Sequence, residues 1–358
     1  MISVSLCMIV KNESGVLDRC LTSYSGLFDE IIIVDTGSTD NTIEIASKYT
    51  DKIFTYQWKD DFADARNFSF SKASCDYIFT ADADEVLDER NRQAFLELKS
   101  VLLSEIDIVQ MKYVNISDFN TVYNSEKELR PKLFKRLRTF LWVNPIHETV
   151  RLSPVVFDSD IEIFHMPVKS HNKRDFHTFI NAFKHNIPLD SYVIVMFCKE
   201  SLISGKKEDY QTLLPVFLQY MEEYKQENGR LSCYKEVNCC LARMNRVLGN
   251  KDNFFKIALK EVALEPSSEI CLELGNYYMD NEDYEEAVLW FINAYSETKP
   301  ILDIHAGGDE PLKALSECYK KMSQEKLSTG DCALAGTYDD LSRQYKVQAD
   351  NWKLPEEI

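Results

Sequence analysis

The chain has 358 residues, 45% of them hydrophobic and 12% aromatic, which is enough for two or three packed cores. With 28% charged residues and no apolar run longer than a buried strand, it is neither a disordered chain nor an integral membrane protein. A formal charge of −17 argues against nonspecific binding to nucleic acid or anionic membranes, both of which need a cationic surface.

Ile2 to Val10 reads as a first strand. Lys11-Asn12-Glu13 ends the run too early for a secretory signal, so a cytoplasmic protein is expected. Ser14 to Tyr24 sets Val16, Leu17, Cys20 and Leu21 on one helical face, and Glu30 to Val34 is a second apolar strand ending at the polar turn Asp35-Thr36-Gly37-Ser38. A helix through Ile43, Ile45 and Ala46, capped by Thr39 or Asp40, follows. A strand at 52–56, a helix around 63–73 and a strand at 77–80 complete a doubly wound α/β pattern. Such sheets bind ligands at the carboxyl ends of their strands, where the polar groups after Val10, Val34 and Thr80 fall. Strand-like stretches at 108–114, 141–143 and 161–166 suggest an irregular second half of the same domain, and from about residue 175 only helical periodicity remains. The basic residues Arg130, Lys132, Lys135, Arg136 and Arg138 admit two readings, guidance of an anionic ligand or a solvated strand edge.

Between Glu269 and Pro300 lies a tetratricopeptide-like pattern: Leu274-Gly275, Tyr278, Tyr284, Ala287, Phe291 and Ala294. Its small residues let two antiparallel helices approach, and its aromatics fill the gaps. The ten cysteines show no Cys-x-x-Cys spacing, so free, mostly buried thiols in a reducing compartment are expected.

The most informative element is Phe79-Thr80-Ala81-Asp82-Ala83-Asp84-Glu85, an apolar strand ending in crowded carboxylates. Hard divalent cations bridge such groups to substrate phosphates. An acidic turn that merely caps a helix is the rival reading. A carboxylate such as Asp35 at a strand end can accept a hydrogen bond from a ligand N–H, with Gly37 letting a flat ring approach. The forked guanidinium of Arg66 suits a diphosphate. Asp35 as a helix cap and Arg66 as a salt-bridged helix residue are the corresponding rivals.

The blocks Cys7-Met8-Ile9-Val10-Lys11-Asn12-Glu13, Val34-Asp35-Thr36-Gly37-Ser38 and Asp64-Ala65-Arg66-Asn67, followed by Asp82-Ala83-Asp84, resemble the family 2 glycosyltransferases with the GT-A fold over roughly residues 2–90. The resemblance implies that Val10, Glu13, Asp35, Arg66 and Ala83 bind a UDP-sugar donor, and that Asp82 and Asp84 hold Mg²⁺ or Mn²⁺. Trp142-Val143-Asn144-Pro145-Ile146-His147-Glu148 and Ile163-Phe164-His165 extend it to a bacterial branch in which helical repeats follow the catalytic domain. That branch includes lipopolysaccharide-core glucosyltransferases and sublancin-type peptide S-glycosyltransferases. Inverting transfer needs a general base on the acceptor side. Glu148 is the first candidate and His147 is the second; pairing of Glu148 with Arg151 or a lysine is the rival reading. His165 is a candidate third metal ligand, and Lys169, His171, Lys173 and Arg174 a candidate lid over the phosphates.

The expectation is a GT-A catalytic domain over 1–170 and an all-α, tetratricopeptide-like domain over 171–358 that binds the acceptor or forms a homodimer. The expected reaction transfers glucose or N-acetylglucosamine from a UDP-sugar to a Cys, Ser or Thr side chain of a peptide or protein. The alternatives are a glycan or lipopolysaccharide-type acceptor and a noncatalytic protein-binding scaffold. A Rossmann dehydrogenase is excluded because Lys11-Asn12-Glu13-Ser14-Gly15 stands where its glycine-rich turn belongs, and a P-loop enzyme because Gly-x-x-x-x-Gly-Lys is absent. Nucleotide-sugar synthesis would need a glycine-rich basic N-terminal loop, which the chain lacks.

Overall fold

The computed structural model describes residues 1–115, 127–146, 148–150, 154–167, 172–185, 187, 189–226 and 233–353. Two compact units divide the chain, the first running to Leu189 and the second from Asp190 onward.

The first unit opens with β1 (Val4–Val10), α1 (Leu17–Ser23), β2 (Glu30–Asp35), α2 (Thr42–Ala46), β3 (Ile53–Thr55), α3 (Phe62–Phe70) and β4 (Tyr77–Ala81). There follow β5 (Glu85–Val86), α4 (Glu89–Val101), β6 (Ile108–Asn115), β7 (Lys127–Lys135), β8 (Trp142–Val143), β9 (Thr149–Val150), β10 (Val156–His165) and α5 (Asn172–Lys184). Eight of these strands form one sheet in the order β3-β2-β1-β4-β7-β6-β10-β5. Strands β1 to β4 run parallel, as their continuous apolar sequences require of strands covered on both faces. The far half is mixed: β7 runs antiparallel to both β4 and β6, and β5 antiparallel to β10. The expected GT-A arrangement therefore holds, and the irregular second half is the mixed part of the sheet.

The main core lies under β1, β4 and α1. Leu6, Met8, Leu17, Leu21, Tyr24, Phe79 and Phe95 are buried there. Phe79 meets Tyr24 and Phe95 edge-on at 5.9 and 5.5 Å. Capping fixes the helix starts: Asp61 accepts from the Asp64 amide and Asp88 from the Asn91 amide, each satisfying an orphan donor of the first turn. Ahead of α2, Asp40 takes the Thr42 amide at 3.0 Å, while Asn41 occupies the cap position without a side-chain bond.

One sequence reading needs correction. The basic stretch around Lys132 is not a solvated strand edge, because β7 is an interior strand of the sheet. Lys132 is buried, Arg136 donates to the Cys75 carbonyl, Lys135 to the Ser104 carbonyl, and Arg138 pairs with Asp107 at 3.2 Å. Long basic side chains serve here to tie β7 to neighbouring loops.

The second unit is all helical: α6 (Ser191–Ser204), α7 (Lys207–Gln226), α8 (Tyr234–Leu248), α9 (Lys251–Leu264), α10 (Ser268–Asp280), α11 (Tyr284–Ile292), α12 (Asp309–Ser328) and α13 (Cys332–Asn351). The hairpin of α10 and α11 carries the repeat-like pattern. A Cβ on Gly275 would stand 2.5 Å from the Phe291 ring, so the helices approach as closely as a missing side chain permits. Ala287, Phe291 and Ala294 are fully buried against that seam. All ten cysteines are free thiols, and all but Cys75 and Cys332 are buried. Among the described residues, no helix is long and apolar enough to cross a membrane.

Candidate active site

At the carboxyl ends of β1 and β2, Val10 and Asp35 are register partners and both are buried. The loops that follow are laced together. Asn12, in left-handed conformation at φ 56°, accepts the Thr39 amide at 2.7 Å and donates its own amide to the Ser38 hydroxyl at 2.9 Å. The Glu13 amide donates to the Thr42 hydroxyl at 2.8 Å. The Asp35 carboxylate accepts amides from Gly37 and Ser38 at 3.1 Å each, which anchors it within its own turn instead of capping α2. Gly37 has φ 102°, and a Cβ built on it would meet nothing within 4 Å, so the turn leaves open space beside Gly37.

β4 ends in the acidic turn, closed by the Glu85 amide on the Asp82 carbonyl at 3.2 Å. The Asp82 side chain is 56% exposed and that of Asp84 only 12%. The Ala83 methyl is buried in the core cluster, so the turn is pinned at its middle residue. β10 brings His165 alongside: His165 pairs with Glu85 across the strands, the Met166 amide donates to the Asp84 carbonyl at 3.0 Å, and His165 Nε2 lies 3.2 Å from Asp84 Oδ2. Desolvation works against ionisation of Asp82, but Arg66, then Lys132, His165 and Arg130, outweigh it and hold its carboxyl below the usual value. Glu85 goes the other way. Burial, aided by Asp82, pushes its carboxyl up against the opposing pull of Lys132.

Arg66 on α3 reaches the same place. Its Nε donates to Glu148 Oε1 at 2.8 Å, its Nη2 approaches that oxygen at 2.5 Å, and its Nη1 donates to the Thr80 hydroxyl. Asp82 Oδ1 lies 3.9 Å from Nη2, and the Trp142 ring lies 4.9 Å beneath the guanidinium. Phe62 N–H donates to the Pro145 carbonyl at 3.0 Å, and Asn67 bonds the Trp142 backbone at both its amide ends, docking α3 against the segment that carries Glu148. Arg66 and Glu148 are thus brought together, which the sequence reading did not foresee: Glu148 has Arg66 as its ion-pair partner instead of Arg151 or a lysine.

His147, Lys169 and His171 lie outside the described residues, as do Arg151 and the side chains of Lys173 and Arg174. Among the described residues, no three His, Cys, Asp or Glu side chains converge closely enough to hold a metal ion unaided. Asp84 and His165 are in contact at the acidic turn, with Asp82 exposed beside them. Sequence reasoning missed the buried Lys132–Glu85 pair and the role of Thr80 and Trp142 in holding Arg66. An aromatic next to a strand break was the one available signal, at Trp142.

Residues 5–153 match the family model described as Glycosyl transferase family 2. The matched segment lies almost entirely within the first unit. The chain is 35% identical over 161 residues to a TPR repeat-containing protein of Synechococcus elongatus, a match covering 42% of this chain and 36% of that protein. It is 34% identical over 115 residues to the prophage-derived glycosyltransferase SunS of Bacillus subtilis, covering 31% of this chain and 27% of SunS. It therefore spans about a third or less of the length of these relatives. An uncharacterized glycosyltransferase of Rickettsia bellii is 24% identical over 215 residues, covering 57% of this chain and 69% of that one. Among solved structures, S. aureus TarS superposes with a TM-score of 0.42 at 11% identity over 72% of this chain and 55% of TarS. That likeness is too distant to bear on the chemistry.

Proposed function

We propose that the chain is an inverting glycosyltransferase that moves a hexose, glucose or N-acetylglucosamine, from a UDP-sugar to a Cys, Ser or Thr side chain of a peptide or protein. The carrying observation is the acidic turn at the end of β4, with His165 against Asp84 and the Arg66–Glu148 pair beside Asp82. The match to the family 2 model supports sugar transfer, and the resemblance to the sublancin-type branch, with 34% identity to SunS, supports a peptide acceptor. The helical unit is the proposed acceptor-binding or dimerising region, since stacked hairpins present extended surfaces to proteins. Ten free thiols fit a reducing compartment such as the cytoplasm.

Val10, Glu13 and Asp35 would seat the nucleoside in the laced loops, with Arg66 and the Ala83 backbone beside the diphosphate. Oxygen-rich, crowded carboxylates with one imidazole suit Mg²⁺ or Mn²⁺ when donor phosphates complete the coordination. Asp82, Asp84 and His165 would hold the ion, which supplies charge neutralisation of the departing diphosphate. The acceptor sulfur or oxygen attacks the anomeric carbon, and the bond to the diphosphate oxygen breaks with its electron pair leaving on UDP. The acceptor's proton passes to Glu148. Both Arg66 contacts land on Oε1, so Oε2 is the oxygen assigned to that proton.

Donor hydrolysis measured with and without EDTA, in wild type and Asp84→Ala, tests the reading. The expected outcome is loss of most activity in EDTA and in the variant. Equal, EDTA-insensitive rates in both proteins would overturn it. Intact-mass measurements against candidate peptides test the acceptor; transfer to saccharides alone would move the assignment to a glycan.

A further inference from the structure

Directly behind the acidic turn lies an ion pair that the proposed chemistry does not use. Glu85, the first residue of β5, is fully buried, and Lys132 of β7 is buried with it. Lys132 Nζ donates to both carboxylate oxygens of Glu85, at 2.5 and 2.7 Å. β5 and β7 share no backbone bonds, because β6 and β10 lie between them in the sheet. The pair therefore spans two strands and joins the outermost one to the interior. Tyr113 of β6 stands beside it, with Lys132 Nζ 5.3 Å and the Arg130 guanidinium 3.7 Å from the ring centre, and with the His165 ring 5.1 Å away.

Stability alone is a poor account of this pair. Two desolvated charges are often matched or bettered by apolar residues of similar volume, so a buried ion pair is weak evidence of a stabilising role. Its place is more telling. Residues 82–85 carry three carboxylates, two of which belong to the proposed cation site. Both oxygens of Glu85 are occupied by the ammonium, which leaves Asp82 and Asp84 as the carboxylates of that cluster not bound by it. Glu85 is also the register partner of His165, so anchoring Glu85 fixes the strand that sets His165 against Asp84.

We propose that Glu85 and Lys132 are positioning residues for the cation site: the pair anchors the turn so that Asp84 and His165 face the same point. This rests on the metal-dependent reading above.

The test compares wild type with Glu85→Gln/Lys132→Met, which removes both charges while keeping side-chain bulk, and with Lys132→Arg, which keeps the cation. Calorimetry and Mn²⁺ electron paramagnetic resonance measure Mn²⁺ affinity at saturating UDP; UDP affinity in EDTA and circular dichroism serve as controls. Mn²⁺ affinity should fall about 10–100-fold in the double variant, the usual effect of losing groups that orient metal ligands. UDP binding in EDTA should stay unchanged, and Lys132→Arg should restore part of the loss. A folded double variant with wild-type Mn²⁺ affinity would overturn the inference. Failure of wild type itself to take up Mn²⁺ with UDP would overturn the metal-dependent reading, and the inference with it. Should the double variant not fold, Glu85→Gln alone carries the comparison, with the same fall expected and wild-type affinity again overturning the inference.

Discussion

Arg66 and Glu148 are 82 positions apart, yet the guanidinium makes two contacts to one carboxylate oxygen and a third to Thr80. A forked donor can hold a carboxylate in one orientation in a way that an ammonium cannot. Glu148→Gln keeps the shape and a hydrogen-bond acceptor for Arg66 but cannot take up a proton. It should bind UDP normally while transfer falls about 10²- to 10⁴-fold, the range typical of general-base loss. Full activity would remove Glu148 from that role. Arg66→Lys should lower kcat and raise the donor KM together, because it disturbs both the Glu148 carboxylate and the site beside Asp82; unchanged values for both would assign Arg66 to packing on Trp142 alone.

At the scale of elements, the buried strands were legible because burial on both faces leaves a continuous apolar run, as in Val4–Val10, Glu30–Asp35 and Tyr77–Ala81. β7 was not, since Arg130, Pro131, Lys132 and Lys135 disguise an interior strand. Only the pairing of Lys132 with Glu85, set by tertiary structure, makes that lysine compatible with burial. β10 extends five residues ahead of the stretch expected, from Val156, because its first half is largely exposed and lacks an apolar pattern. The acidic turn and the Asp35 turn could be located from sequence because each follows a recognisable strand. The Arg66–Glu148 pair could not, since nothing local to α3 indicates which loop it packs against. In the second unit the Gly275 reading was sound, and it yields a quantitative expectation. Gly275→Ala gains helix propensity of about 0.5–1 kcal/mol, but overpacking a filled seam costs about 1–3 kcal/mol. With Phe291 fully buried and only 2.5 Å from the new methyl, overpacking wins, so chemical denaturation should show a net loss. Equal or higher stability would mean that the α10–α11 seam can open without penalty.

The whole molecule has two compact units, and the proposed donor site draws all its described residues, from Val10 to His165, out of the first. A ligand that binds only the folded state adds RT ln(1 + [L]/Kd), about 2.7 kcal/mol at a hundredfold excess over Kd. That free energy goes to the unit that holds the ligand. Calorimetry with UDP and Mn²⁺ should therefore move one unfolding transition upward by several degrees and leave the other in place. Hydrogen exchange gives the same comparison by segment: added protection is expected at residues 8–14, 34–42 and 77–86, and none in the α10–α11 hairpin. A single transition that shifts as one, with protection spread evenly through α8–α13, would show that the units unfold together and that the helices share in donor binding. Protection confined to the helices would place the nucleotide in the second unit and remove the β4 turn as its site.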